Sequence, residues 1–144
     1  MLKSIPLFHE LTRKEILELD ELLYERVYEK NEVLFEDGEP GHGIFIVVRG
    51  KLRAIPSRPS LKAAILEIGP GEMVGELALF DEAPRTATVV ALERTLTVAL
   101  FQAEFSTLLT KNKSIGVKVL TALARTLIQR VRQLVLHEEH APNI

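Results

Sequence analysis

The sequence predicts a mainly β domain, a barrel or roll, carrying helices at both ends. Short apolar runs cut by turn residues fill the chain from 24 to 101, the pattern of many closely spaced strands. Seven of the eight glycines fall between Gly38 and Gly75, where a compact β structure needs its tight turns. Beyond residue 101 the apolar spacing changes to that of helices.

Each element follows in order. Thr12 and Glu15 have the spacing of a capping box, and Ile16, Leu19, Leu22 and Leu23 follow at near-helical intervals, so a helix is expected from Arg13 to Leu22. Tyr24 to Tyr28 and Val33 to Phe35 read as strands about a polar turn. Asp37-Gly38 and Pro40-Gly41 mark turns before the buried strand Ile44 to Val48, whose hairpin partner is Lys51 to Ile55. Leu61 to Ile68 is a further strand, closed by Gly69-Pro70-Gly71. Thr86 to Leu92 and Leu96 to Phe101 form the last pair. Gln102 to Leu109 is helical, and Asn112 or Ser114 caps a long helix running to Leu136. His137 to Ile144 reads as a polar, frayed tail. One domain over 1–144 is expected, divided into an N-terminal helical part (1–23), a β-roll (24–101) and C-terminal helices (102–136).

Composition bounds the function. At 144 residues the chain can bury a real core. Its net charge of −2 argues against a nucleic-acid-binding module, which would carry a basic excess. The absence of cysteine excludes disulfides, thiol chemistry and cysteine-held clusters. No apolar run approaches the ~20 residues of a membrane span, and the N-terminus lacks a signal-peptide core. A cytoplasmic protein is the expectation. Enzyme classes find no support. His9 and His42 are isolated, His137 and His140 sit in the tail, and the strands hold no cluster of histidine and carboxylate to bind a metal or make a triad.

The chemistry concentrates in Gly75 to Val89. A glycine entering the helix-forming run Glu76-Leu77-Ala78-Leu79 exposes backbone N–H groups suited to an anion. Arg85 is the one cation in these fifteen residues, beside Glu76, Asp81 and Glu82. Pro84 fixes the backbone before it, and Thr86-Ala87-Thr88-Val89 starts a strand. A cation and N–H groups suit one phosphate or carboxylate, and a nearby carboxylate suits a hydroxyl. The combination describes a sugar phosphate.

This stretch resembles the phosphate-binding cassette of the cyclic nucleotide-binding domain family: Gly-Glu-Leu-Ala-Leu, a short variable turn, then Pro-Arg-(Ser/Thr/Ala)-Ala-Thr-Val, matched without a gap. The family comprises regulatory modules of catabolite-activator-type transcription factors, cyclic-nucleotide-dependent kinases and gated channels. The resemblance implies a jelly-roll-like double-stranded β-helix of about eight strands with a long C-terminal helix. It also implies non-catalytic binding of cyclic AMP or cyclic GMP, with no other cofactor. Arg85 would clamp the phosphate, Glu76 would accept from the ribose 2′-hydroxyl, and Gly75, Leu77, Ala78 and Ala87 would offer backbone N–H groups. Thr86 would meet either the phosphate or a guanine, so the base stays open, with cyclic AMP favoured. Arg130 and Val131 fall where activator-type members contact the base.

Each assignment has a plainer alternative. Glu76 could merely stabilise a helix start, Arg85 could pair with Asp81 or Glu82, and Arg130 could be an exposed cation on an amphipathic helix. Val117, Leu120, Ala124, Leu127, Val131 and Leu134 alternate at spacings of three and four, a coiled-coil seam of about two and a half heptads. That seam either packs on the β region or, as the family resemblance favours, makes a homodimer. No helix-turn-helix follows the long helix before Ile144, so either a stand-alone receptor with a protein effector or a fragment of a longer regulator is expected, with no nucleic acid or membrane partner. The rival functions are a ligand-free dimeric interaction module and a sensor of another small anion.

Overall fold

The computed structural model describes residues 2–56, 66–80 and 84–140. Two 3-10 turns, Leu2–Ser4 and Pro6–Phe8, precede α1 (Arg13–Asp20). Among the described residues eight strands follow: β1 (Tyr24–Tyr28), β2 (Val33–Phe35), β3 (Gly43–Arg49), β4 (Leu52–Pro56), β5 (Leu66–Ile68), β6 (Met73–Val74), β7 (Ala87–Ala91) and β8 (Thr95–Phe101). A 3-10 turn, Glu76–Leu79, separates β6 from β7, and α2 (Gln102–Lys111) and α3 (Lys113–His140) close the chain. The expected mainly β architecture with flanking helices is present. It consists of two open, four-stranded antiparallel sheets in a jelly-roll-like arrangement, ordered β1-β8-β3-β6 and β2-β7-β4-β5.

Strand β3 shows why the sequence reads as it does. Phe45 and Val47 point between the two sheets, into a cluster with Phe35, Leu52, Ile68, Val74 and Val89. Ile44 and Ile46 point the other way, into a second cluster with Phe8, Leu19, Phe105, Ile115, Val119 and Leu123. Successive side chains alternate across a strand, so a strand covered on both faces is apolar throughout. One sheet is therefore the middle layer, with the other sheet on one side and the helices on the other.

Several boundaries differ from expectation. The capping box is present, with Glu15 N–H donating to Thr12 Oγ1 (3.2 Å) and Thr12 N–H to Glu15 Oε1 (2.9 Å). The cap of α3 is Asn112, whose Oδ1 accepts from Ile115 N–H (3.2 Å). Ser114 instead donates to Glu15 (2.7 Å), tying α3 to α1. α3 continues one turn past Leu136, to His140. The two-residue β6 and the opening 3-10 turns were not foreseen, being too short for any periodicity. The strand expected from Leu61 is described only over Leu66–Ile68, its first part lying outside the described residues.

The expected seam on α3 does not form the core-facing stripe. Ile115, Val119 and Leu123 take that place, while Val117 (61% exposed), Leu120 (39%) and Val131 (59%) face outward and Ala124 is exposed. Leu127 is half-buried against the helical cluster. The side chain of Leu134 lies outside the described residues. Among the described residues no helix is long and apolar enough to cross a membrane.

Candidate ligand-binding site

Strand β6 delivers the chain to Gly75, which turns it with φ +80°. Glu76–Leu79 winds into the 3-10 turn, Ala78 N–H donating to Gly75 C=O at 3.0 Å. Gly75 is favoured here: its φ is left-handed, and a Cβ would displace the guanidinium of Arg85. The chain returns at Pro84, which bridges to Pro40.

Arg85 is held first by its backbone. Its N–H donates to Glu39 C=O (2.7 Å), and its own C=O accepts from Gly38 N–H (2.8 Å). Asp37 N–H adds a bond to Thr88 Oγ1 (3.1 Å). The turn after β2 thus clamps the start of β7. The Arg85 side chain runs inward and is only 9% exposed. Its Nη1 makes one long bond to Gly75 C=O (3.5 Å), and its Nε is buried without a partner. Burial lowers the pKa of the guanidinium from its ordinary value, opposed by the nearby carboxylates of Glu39 and Glu76. An arginine nonetheless stays cationic at neutral pH. Asp81 and Glu82, the pairing partners weighed from sequence, lie outside the described residues.

A cavity of about 630 Å³ opens in front of this arginine, a size usual for small-molecule sites. Gly75, Glu76, Ala78, Arg85, Thr86 and Ala87 border it on the cassette side, and Arg130 borders it from α3. Seven of the eight expected site residues therefore share one cavity. The eighth, Leu77, belongs to the 3-10 turn, and its side chain lies outside the described residues. The Ala78 N–H, expected to be on offer, closes the turn onto Gly75.

Glu76 and Arg130 meet directly. Arg130 Nη1 pairs with Glu76 Oε1, and Nη2 donates to Met73 C=O at 3.0 Å. Arg130 is thus neither a free surface cation nor aimed at open space. It ties α3 to the chain entering the cassette, 54 residues away in sequence. Sequence reasoning missed the apolar part of the lining, formed by Phe35, Ala54, Leu66, Ile68 and Val89. It also missed Gln133, one helical turn beyond Arg130. Among the described residues no group of three or more His, Asp or Glu could hold a metal.

The family model of the cyclic nucleotide-binding domain matches residues 25–112, spanning both sheets, the cassette turn and α2. The chain belongs to the cyclic nucleotide-binding domain family. It is 32% identical over 127 residues to the cyclic AMP receptor protein of Thermus thermophilus, covering 88% of this chain and 59% of that protein. A putative potassium channel protein of Rhodopseudomonas palustris is 33% identical over 119 residues, 83% of this chain and 29% of the channel. The fold of this cyclic nucleotide-binding domain superposes on the catabolite activator protein of T. thermophilus with a TM-score of 0.79 at 31% identity, over 93% of this chain and 62% of that one. A cyclic nucleotide-binding domain from Methylobacillus flagellatus gives 0.83 at 25% identity, over 99% and 79%. The chain therefore spans less than two thirds of the length of these two relatives. It is a regulatory cyclic-nucleotide-binding module homologous to catabolite-activator-type proteins.

Proposed function

We propose that this domain binds a cyclic nucleotide, cyclic AMP in preference to cyclic GMP, as a signal passed to its C-terminal helices. The observation that carries the reading is Arg85: a buried guanidinium with an unpartnered Nε at the wall of a cavity that also holds Glu76. A buried donor without a partner is costly, and a cyclic phosphate would satisfy it through charge-assisted bonds. Glu76 gives one carboxylate oxygen to Arg130 and keeps the other for the ribose 2′-hydroxyl. The similarity to a receptor named for cyclic AMP favours that base.

Transmission has a physical route. Leu79 is buried in the helical cluster, and Phe80 packs edge-on against Phe105 of α2, centroids 5.7 Å apart at 85°. A ligand that pulls on Gly75–Ala78 therefore pulls on side chains seated against α2 and α3. Arg130 links the same segment to α3. Such coupling requires that the ligand prefer one arrangement of these helices.

The outward stripe of α3, Val117, Leu120, Ala124 and Val131, supports a homodimer through that helix, with a protein effector or a further segment of a longer regulator downstream. Leu120→Asp would set a carboxylate in the seam and raise the dimer dissociation constant at least about tenfold, measured by sedimentation equilibrium. An unchanged association would remove the seam from the interface. Calorimetric titration with cyclic AMP and cyclic GMP, beside Arg85→Ala, tests the binding reading. Micromolar or tighter binding, weakened at least about thirtyfold in the variant, is the expected result. A folded protein binding neither nucleotide would return the reading to an interaction module or a sensor of another anion.

A further inference from the structure

The guanidinium of Arg85 rests on an aromatic ring that lies outside the cassette. Its central carbon is 4.0 Å from the centroid of Phe35, in β2. Phe35 is 7% exposed and is itself locked: Phe45 lies 6.0 Å away and packs edge-on against both Tyr28 (6.3 Å, 74°) and Phe101 (6.5 Å, 86°). Gly41 confines the arginine from another direction, since a Cβ there would come within 2.9 Å of Ala78 Cβ and 3.0 Å of Arg85 Nε. Among the described residues no carboxylate comes within salt-bridge distance of Arg85.

A buried cation needs compensation, and two kinds exist. A carboxylate would neutralise the charge by taking up the N–H donors, which would then have to be stripped away before an anion could bind. An aromatic face attracts the cation through its quadrupole and takes up no donor. Apart from the long bond from Nη1 to Gly75 C=O, the edge of the guanidinium, where its N–H groups lie, is left for a ligand. We infer that Phe35 is a positioning residue for anion binding: its ring, framed by Gly41, holds the Arg85 guanidinium charged, oriented and unspent for the phosphate. This rests on the proposal that the cavity binds a cyclic nucleotide through Arg85.

The consequence is specific to the phosphate. Phe35→Leu keeps an apolar side chain but removes the quadrupole, and is expected to weaken cyclic AMP binding about tenfold. Binding of adenosine, which has no phosphate, should stay within about twofold, and in an Arg85→Ala background the same substitution should change cyclic AMP affinity by less than about twofold. Equal losses for both ligands, or the same loss with and without Arg85, would reduce Phe35 to a packing residue. If Phe35→Leu fails to fold, Gly41→Ala serves: it retains the ring, displaces Nε, and should weaken cyclic AMP but not adenosine. The ligand-free protein gives an independent readout by NMR. The Arg85 Nε–H proton should be shifted upfield by the ring current, and Phe35→Leu should abolish that shift. A wild-type protein with the ring-current shift but no nucleotide binding would refute the functional proposal and leave the stacking standing. Absence of the shift would overturn the stacking itself.

Discussion

Two arginines face the same cavity and are held in opposite ways. Arg85 rises from the sheet framework, is nearly fully buried, keeps a partnerless Nε and is compensated by an aromatic ring. Arg130 comes from α3, has a side chain 38% exposed, and is committed to Glu76 and the Met73 carbonyl. The first is a rigid charge kept in reserve, and the second is a tie between a helix and the cassette. The difference suits a receptor that must hold one part of its ligand in place while moving another part of itself.

Breaking the reserved charge should have the largest effect. Arg85→Ala is expected to cost about 2–5 kcal/mol of nucleotide binding, the range for truncating one partner of a buried charged interaction, measured by calorimetry on a variant that still folds. Unfolding of the variant would instead make Arg85 a structural residue. Glu76→Gln, which keeps the shape but removes the charge that faces Arg130 and that is proposed to meet the ribose, should cost about 1–3 kcal/mol. An effect equal to that of Arg85→Ala would blur the division of labour between the two. Arg130→Ala should weaken binding by no more than about 1 kcal/mol, because a half-exposed ion pair is worth little. Its larger effect should be on α3, seen as faster amide exchange between residues 126 and 136. A loss of affinity as great as that of Arg85→Ala would make Arg130 a direct ligand contact.

The smallest effect separates the two arginines by pH. Glu15 in α1 accepts from Lys118 Nζ (2.6 Å), Thr12 N–H and Ser114 Oγ. The hydrogen bond from Lys118, with those from Thr12 and Ser114, lowers its pKa from 4.5 to about 2. A carboxylate whose folded pKa is depressed stabilises the fold fully above about pH 4.5, and that contribution disappears as pH falls toward 2. Acid should therefore loosen the start of α3, the helix of Arg130, through this contact. Glu15→Gln should remove that part of the acid transition in circular dichroism. An unchanged acid profile in Glu15→Gln would detach the helix from this anchor.

The cassette was legible because its chemistry is contiguous. Gly75, Glu76, Arg85 and Thr86 stand within twelve residues, and local backbone demands select glycine and proline there. Strand β3 of the middle layer was legible because covering both faces leaves an unbroken apolar run. What was not legible depends on distance in sequence. Phe35 and Arg85 are fifty residues apart, and nothing in Val33-Leu34-Phe35 distinguishes a ring under a cation from a ring in a core. The turn from Asp37 to Gly41 reads only as a turn, although it clamps Arg85 by two backbone bonds and a missing Cβ. On α3 the heptad spacing picked out one apolar stripe, while Ile115, Val119 and Leu123 make the other.

The sequence by itself determined the elements, the turns and the identity of the groups that carry charge, because these follow from nearest-neighbour sterics and periodicity along the chain. Only the tertiary structure decided which carboxylate Arg130 would take, which stripe of α3 would be buried and what would stand beneath Arg85. Those outcomes belong to pairs brought together by sheet register and helix packing, and a side chain carries no local mark of a partner it meets only after the chain has closed.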